Sequence, residues 1–223
     1  EKTAIPELLA TLALEGCIVT IDAMGTQPNI AQAIRDRGAS YILSVKDNQP
    51  KLADSVQDFF VAFQSAPDKT PHQVDEVVEK DHGRLEVRRC YAFDQIDCLH
   101  APQRWPDIKS FAVIASERTI KGKTTLEHRL YISSLPADAA RLNHAVRQHW
   151  RVENSLHWCM DVVFGDDQMR TRTGHAAHNF AVLRHIALNL IRLAPAKRKG
   201  GIKVRRLIAA TSDNYRAQLL GLV

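Results

Sequence analysis

Two carboxylates far apart in the chain, Asp22 and Glu153, are the residues whose type and setting point to chemistry. Asp22 ends the run Cys17, Ile18, Val19, Thr20, Ile21 in "GCIVTIDAMG", a pattern that predicts a parallel strand covered on both faces. Glu153 lies in "HWRVENSLHWCMDVVFGDD", where Val152, Leu156, Cys159 and Val163 recur at helical spacing and predict one core-facing stripe of a helix. An acid one residue off that stripe sits at the border of the core, where a helix packed on a sheet aims it toward a strand end. Two hard oxygen donors meeting there are the ordinary ingredients of a Mg²⁺ or Mn²⁺ site, whose other ligands are waters and phosphate oxygens. Taken singly, each acid has a plainer reading: Asp22 as a turn or capping residue, Glu153 as a solvated helix acid. His149 and His157 have no HExxH-type pairing and are expected to pack or hydrogen-bond, and Trp150 and Trp158 are expected to anchor the core.

The elements that must position these acids follow from periodicity. "IPELLATLALEG" predicts a helix closing on Gly16, and "TQPNIAQAIRDRGA" predicts a turn and a second helix with Ile30, Ala33 and Ile34 on one face, stopped by Gly38. "SYILSVK" reads as another buried strand. "DNQPKLADSVQDFFVAF" reads as a helix capped by Asp47 or Asn48, with Pro50 in its first turn and Leu52, Val56, Phe59, Phe60 and Phe63 facing the core. Helices alternating with buried strands imply a parallel α/β sheet. The middle of the chain reads as two antiparallel hairpins, one around Asp81-His82-Gly83 and one around Lys121-Gly122-Lys123, and from Ala137 onward the pattern is helical.

With 223 residues and 45% hydrophobic composition the chain can bury a real core. Its apolar runs, such as "AVLRHIALNLIRLA", are cut by charge well short of the roughly 20 residues a membrane span needs, so no membrane partner is expected. Cys17, Cys90, Cys98 and Cys159 are scattered without a CxxC pair and are expected as reduced, buried thiols of a cytoplasmic protein. No secretory signal is visible, and the start at Glu1 rather than Met is expected of a truncated sequence. The formal charge is +5, and Lys197, Arg198, Lys199, Lys203, Arg205 and Arg206 cluster in an acid-free stretch. Such a stretch is an electrostatic footprint for phosphate backbones or a solvated basic linker.

Four motifs in this order, "TIDAMGTQPNIAQAI", "YILSVKDNQPKL", "HGRLEVR" and "HWRVENSLHWCMDVVFGDD", resemble the bacterial insertion-sequence transposases of the DDE class, in the branch that includes the H-repeat-associated proteins. The resemblance runs from about Glu1 to beyond Arg192. It implies an α/β ribonuclease H-like core over residues 1–66, an antiparallel β insertion over 67–136, late core helices carrying the catalytic Glu over 137–194, and a basic helical tail over 195–223. It implies that Asp22 and Glu153 are catalytic metal ligands for Mg²⁺ or Mn²⁺, with Asp161 the nearest rival of Glu153. The partners implied are double-stranded DNA, as element terminal repeats and target, and a second copy of the chain in a synaptic complex, in the bacterial cytoplasm. The first acid of the family's triad belongs to a strand upstream of any residue here, so the expected protein is a truncated, catalytically incomplete DNA strand-transfer enzyme. The alternatives are a non-catalytic DNA-binding remnant using the basic stretch and an inert product of a decayed element. The wider class also carries Tyr, Arg and Lys around the Glu; here Val146, His149 and Met160 stand at those positions, and Arg147 or Arg151 is assigned to phosphate contact instead. Lys46 and Asn48 follow the second strand and are placed to approach the site, but stay outside the catalytic set.

Overall fold

The computed structural model describes residues 4–81, 84–194 and 200–222, and the chain divides into two compact units, Glu1–His149 and Trp150–Val223. The division falls inside the segment expected as late core helices.

In the first unit the strands β1 (Ile18–Ile21), β2 (Ser40–Val45), β3 (Gln73–Asp81), β4 (Arg84–Phe93), β5 (Ser110–Ile120) and β6 (Lys123–Ser133) form one sheet in the order β1-β2-β6-β5-β4-β3. The parallel pairing expected of the first two strands is that of β1 with β2, and the other strand pairs are antiparallel, as expected of the middle section. The antiparallel section joins the same sheet: β6 pairs with β2, Ile132 opposite Leu43 and Ser133 opposite Ile42. Lys121 and Gly122, both at positive φ (48° and 77°), make the two-residue turn between β5 and β6, a conformation that suits the right-handed twist of the flanking strands. The turn residues His82 and Gly83 lie outside the described residues.

β1 differs from its expectation. It is an edge strand whose four residues are only half-buried, whereas β2, flanked on both sides, is buried from Tyr41 to Val45. Cys17 precedes the strand and is exposed, as is Cys98; Cys90 and Cys159 are buried, and all four are free thiols.

Side-chain alternation gives the sheet two distinct faces. Ile21, Leu43, Ile132, Phe111 and Phe93 line up in register across five strands, facing α2 (Pro28–Arg35) and α3 (Pro50–Ser65). α2 contributes Ile30, Ala31 and Ile34 to this core, and α3 contributes Leu52, Val56, Phe60 and Phe63. The preceding helix, α1 (Ala4–Thr11), ends before Gly16, which adopts φ +71° in the turn into β1. Gln49, rather than Asp47 or Asn48, occupies the N-cap position of α3.

The other face receives α4 (Ala139–Val152), and the docking is polar. Asn143 donates to Asp75 at 2.7 Å, Arg147 donates to Glu79 at 2.6 Å, and His149 Nδ1 lies 3.1 Å from Thr20 Oγ1. Helical spacing on α4 is thus matched to positions along β3, with Leu142 and Val146 supplying the apolar part.

The second unit contains α5 (Ala176–Leu193), α6 (Ile202–Thr211) and α7 (Asp213–Leu219), the last capped by Ser212. Its first segment is unusual. Glu153–His157 and Cys159–Val163 are wound as π-helix, separated only by Trp158. Hydrogen bonds reaching one residue further than in an α-helix change which side chains share a face. Cys159, Met160 and Leu188 form the core, with Leu156, Phe164 and Ile202 packed against it. Val152, expected on that stripe, is exposed, and so is Trp158, expected as an anchor. Among the described residues no helix is long and apolar enough to cross a membrane.

Candidate active site

Asp22 has extended backbone (φ −72°, ψ 167°), so it continues the alternation of β1 and shares a face with Thr20. That is the face on which His149 meets Thr20, the hydrogen-bonding role expected of this histidine. The Asp22 carboxylate is about half-exposed, and Lys46 Nζ, one residue past β2, stands 3.8 Å from it.

The loop that presents Asp22 is built with unusual care. Thr26 is fully buried and its hydroxyl donates to the Ser44 carbonyl at 2.6 Å. Asn48 Nδ2 donates to the carbonyls of Ala23 and Thr26, and Gln49 Nε2 donates to Thr26 at 3.1 Å. At Gly25 a Cβ would meet Ile21 Cγ2 at 2.5 Å and Ile5 Cδ1 at 2.8 Å, so only glycine lets the turn lie this close to β1. "KDNQP" is therefore a bracket that fixes the turn Ala23–Gly25 immediately after Asp22. Sequence reasoning offered Asp47 or Asn48 as a helix cap and Asn48 as a residue near the site; the signal for its clamping role was two adjacent amides following a strand that runs parallel to the acid-bearing one. Asn48→Ala is expected to lower stability by about 1 kcal/mol, from the lost hydrogen bonds, and Tm by roughly 2–4 °C in thermal unfolding.

Glu153 lies in the second unit, exposed at the first position of the first π segment. Arg192 donates to the Ser155 carbonyl at 2.5 Å and so satisfies a backbone group of that segment. Asp161 lies in the second π segment, half-buried.

The basic residues divide by environment. Arg147 is held by Glu79 on the sheet face, and Arg151 is exposed. Lys203 is exposed on α6, whereas Arg205 donates to Tyr215 Oη at 3.1 Å and to the Ala194 carbonyl at 3.3 Å. The Arg206 guanidinium lies 5.7 Å from the centre of the Phe164 ring, a cation–π contact. Lys197, Arg198 and Lys199 lie outside the described residues.

Asp22 and Glu153 are accessible oxygen donors, the chemistry a hard divalent cation takes. Among the described residues, however, no group of three or more His, Cys, Asp or Glu side chains clusters as a metal site. In unit 1, Asp22 is an oxygen donor with an ammonium beside it.

The chain belongs to the Transposase DDE domain family, whose model matches residues 1–190. It is 37% identical to Putative protein YbfL of Escherichia coli K12 and 36% identical to the H repeat-associated putative transposase YhhI of the same strain. In both cases the match covers 99% of this chain and 59% of the relative. Putative transposase YncI of Escherichia coli O157:H7 is 37% identical over 99% of this chain and 57% of its own length. The chain thus spans about three-fifths of the curated relatives it matches. No solved structure matches it.

Proposed function

We propose that the chain is the part of a bacterial DDE transposase that carries two of its acidic metal ligands, Asp22 and Glu153, on a ribonuclease H-like core. Its substrate is duplex DNA, the terminal repeats of an element and its target, held by paired copies of the chain. Asp22 and Glu153 would hold Mg²⁺ or Mn²⁺, which would supply activation of a water or a DNA 3′-hydroxyl and neutralisation of the leaving oxygen. The chain's own residues hold and orient. Asp22 presents a carboxylate from a strand end fixed by Asn48, Gln49 and Gly25, and Lys46 tempers its charge until a cation arrives. His149 ties α4 to β1 through Thr20, two residues before Asp22 on the same face.

The observation that carries the reading is the braced, accessible Asp22 in a chain of this family. Calorimetric titration of Mn²⁺ into the chain, and into Asp22→Ala and Glu153→Ala, tests it. Binding by the wild type that disappears in both variants is expected. Binding that survives either substitution, or none in the wild type, overturns the assignment of these two acids.

A further inference from the structure

Away from Asp22, on the α4 side of the sheet, β3, β4 and β5 bring a dense charge cluster together. Glu79 on β3, Glu86 on β4 and Arg118 on β5 lie directly opposite one another in register. Two carboxylates side by side across strands repel, and such a pair is stable only when cations bridge it. Here Arg88 reaches Glu86 at 2.8 Å and Glu79 at 3.7 Å, and Arg147 from α4 reaches Glu79 at 2.6 Å. Arg84 and Arg118 stand 3.6 Å and 3.7 Å from the buried Glu86.

Among the described residues four guanidiniums therefore face Glu79 and Glu86, with Glu127 on β6 a further carboxylate near Arg118. Arg88, 8% exposed, donates to Glu86 Oε1 and stands 3.7 Å from Glu79, while the other Glu86 oxygen, buried without a hydrogen bond, has Arg84 and Arg118 beside it. The other three side chains remain open to solvent, Arg84 at 43%, Arg118 at 46% and Arg147 at 35%. Beside them a cavity of about 350 Å³ is lined by Glu79, Lys80, Arg84 and Arg147. Its volume falls in the range of ligand sites, roughly 300–1,000 Å³. Planar guanidiniums held in fixed positions are suited to bidentate recognition of phosphate oxygens. The buried Glu86 is the positioning residue, since Arg84 and Arg88 of its own strand and Arg118 of β5 stand 2.8–3.7 Å from it.

We propose that this cluster is a phosphate-binding site for the DNA backbone, with Arg84, Arg118 and Arg147 as its contacts. It rests on the reading of the chain as a protein that acts on DNA, and it adds a second place, separate from Asp22, where the duplex is held. Being built on strands rather than on the basic tail, the site reads phosphates irrespective of base sequence.

The test uses the 223-residue chain and its Arg84→Gln/Arg118→Gln and Arg84→Lys/Arg118→Lys variants. Binding to a labelled duplex of arbitrary sequence is followed by fluorescence anisotropy over a range of KCl concentrations, with Tm measured for each variant. Each phosphate contact contributes about −0.9 to the slope of log K against log salt, so the Gln variant should bind more weakly, its slope shallower by about 2. The Lys variant should keep the wild-type slope, because it keeps the charges. A Gln variant that folds and binds with the wild-type slope overturns this site while leaving the assignment of Asp22 and Glu153 untouched. Inorganic phosphate raising the Tm of a wild-type chain that ignores duplex would mark a free-anion site and overturn the DNA assignment. Wild-type chain that takes neither phosphate nor duplex overturns the site and the DNA-acting reading together, which the Mn²⁺ titration tests separately.

Discussion

Glu86→Ala is expected to destabilise the chain by about 3–5 kcal/mol, the cost of removing one partner from a buried ion pair. The carboxylate is 4% exposed, and its loss would leave Arg88, itself 8% exposed, with only Glu79 for compensation. Repulsion among Arg84, Arg88 and Arg118 would add to that cost. Urea unfolding reads the effect as a shift of the midpoint at constant m-value. A loss below 1 kcal/mol would show that water, not Glu86, neutralises the arginines. The same residue gives a pH signature. Burial pushes its carboxyl up, but the hydrogen bond from Arg88 and the charges of Arg88, Arg118 and Arg147 outweigh burial and hold it below its ordinary value of 4.5. A group with a depressed native pKa contributes stability that is whole above its unfolded value and is lost as pH falls through the folded one. Acid unfolding of the wild type below pH 4.5 should therefore be steeper than that of Glu86→Gln.

Phe93→Ala is expected to cost a similar amount, about 3–5 kcal/mol, by a different mechanism. Phe93 is completely buried, and its ring centre lies 5.1 Å from Phe59, 5.0 Å from Phe63 and 5.1 Å from Phe111. These rings join α3 to β4 and β5, so truncation opens a cavity where helix and sheet meet. Phe93→Leu keeps most of the volume and should cost less than about 1.5 kcal/mol. Equal losses in the two variants would mean that ring geometry, rather than filled space, holds α3 to the sheet.

What the sequence revealed of this fold is what nearest neighbours determine. The stripes Ile30 and Ile34 of α2, and Leu52, Val56, Phe60 and Phe63 of α3, are local periodicities that survive folding intact. The β5–β6 hairpin was equally legible, because Lys121 and Gly122 carry the turn in their own backbone preferences. The pairing of β6 with β2 was not, since nothing near Ile132 announces Leu43 as its partner. Nor could the covered-strand reading of "CIVTI" anticipate an edge, because the residue types are the same and only the neighbour differs. In the segment beginning at Glu153 an α-helical period was applied to a π-helical winding, which misassigned Trp158; Val152, at the end of α4, is exposed too. Of the candidate site, Asp22 was visible through the acid that interrupts an apolar run. That Asn48 lies near it was legible as well; that Asn48 clamps the turn was not, because the residue is as good a cap on paper as it is a clamp in the fold.

The two borders of the sheet are unlike. β3 carries Asp75, Glu76, Glu79 and Lys80 along its length, and strands that expose such charge discourage a foreign strand from joining. β1 carries Ile18, Val19, Thr20 and Ile21, with no charge, proline or bulge to turn a newcomer away. Of the two borders, β1 is therefore the one that sets no charge against an added strand. A strand seated there would run alongside Asp22, so the border least defended against self-association is also the one next to the acid on which the proposed chemistry depends.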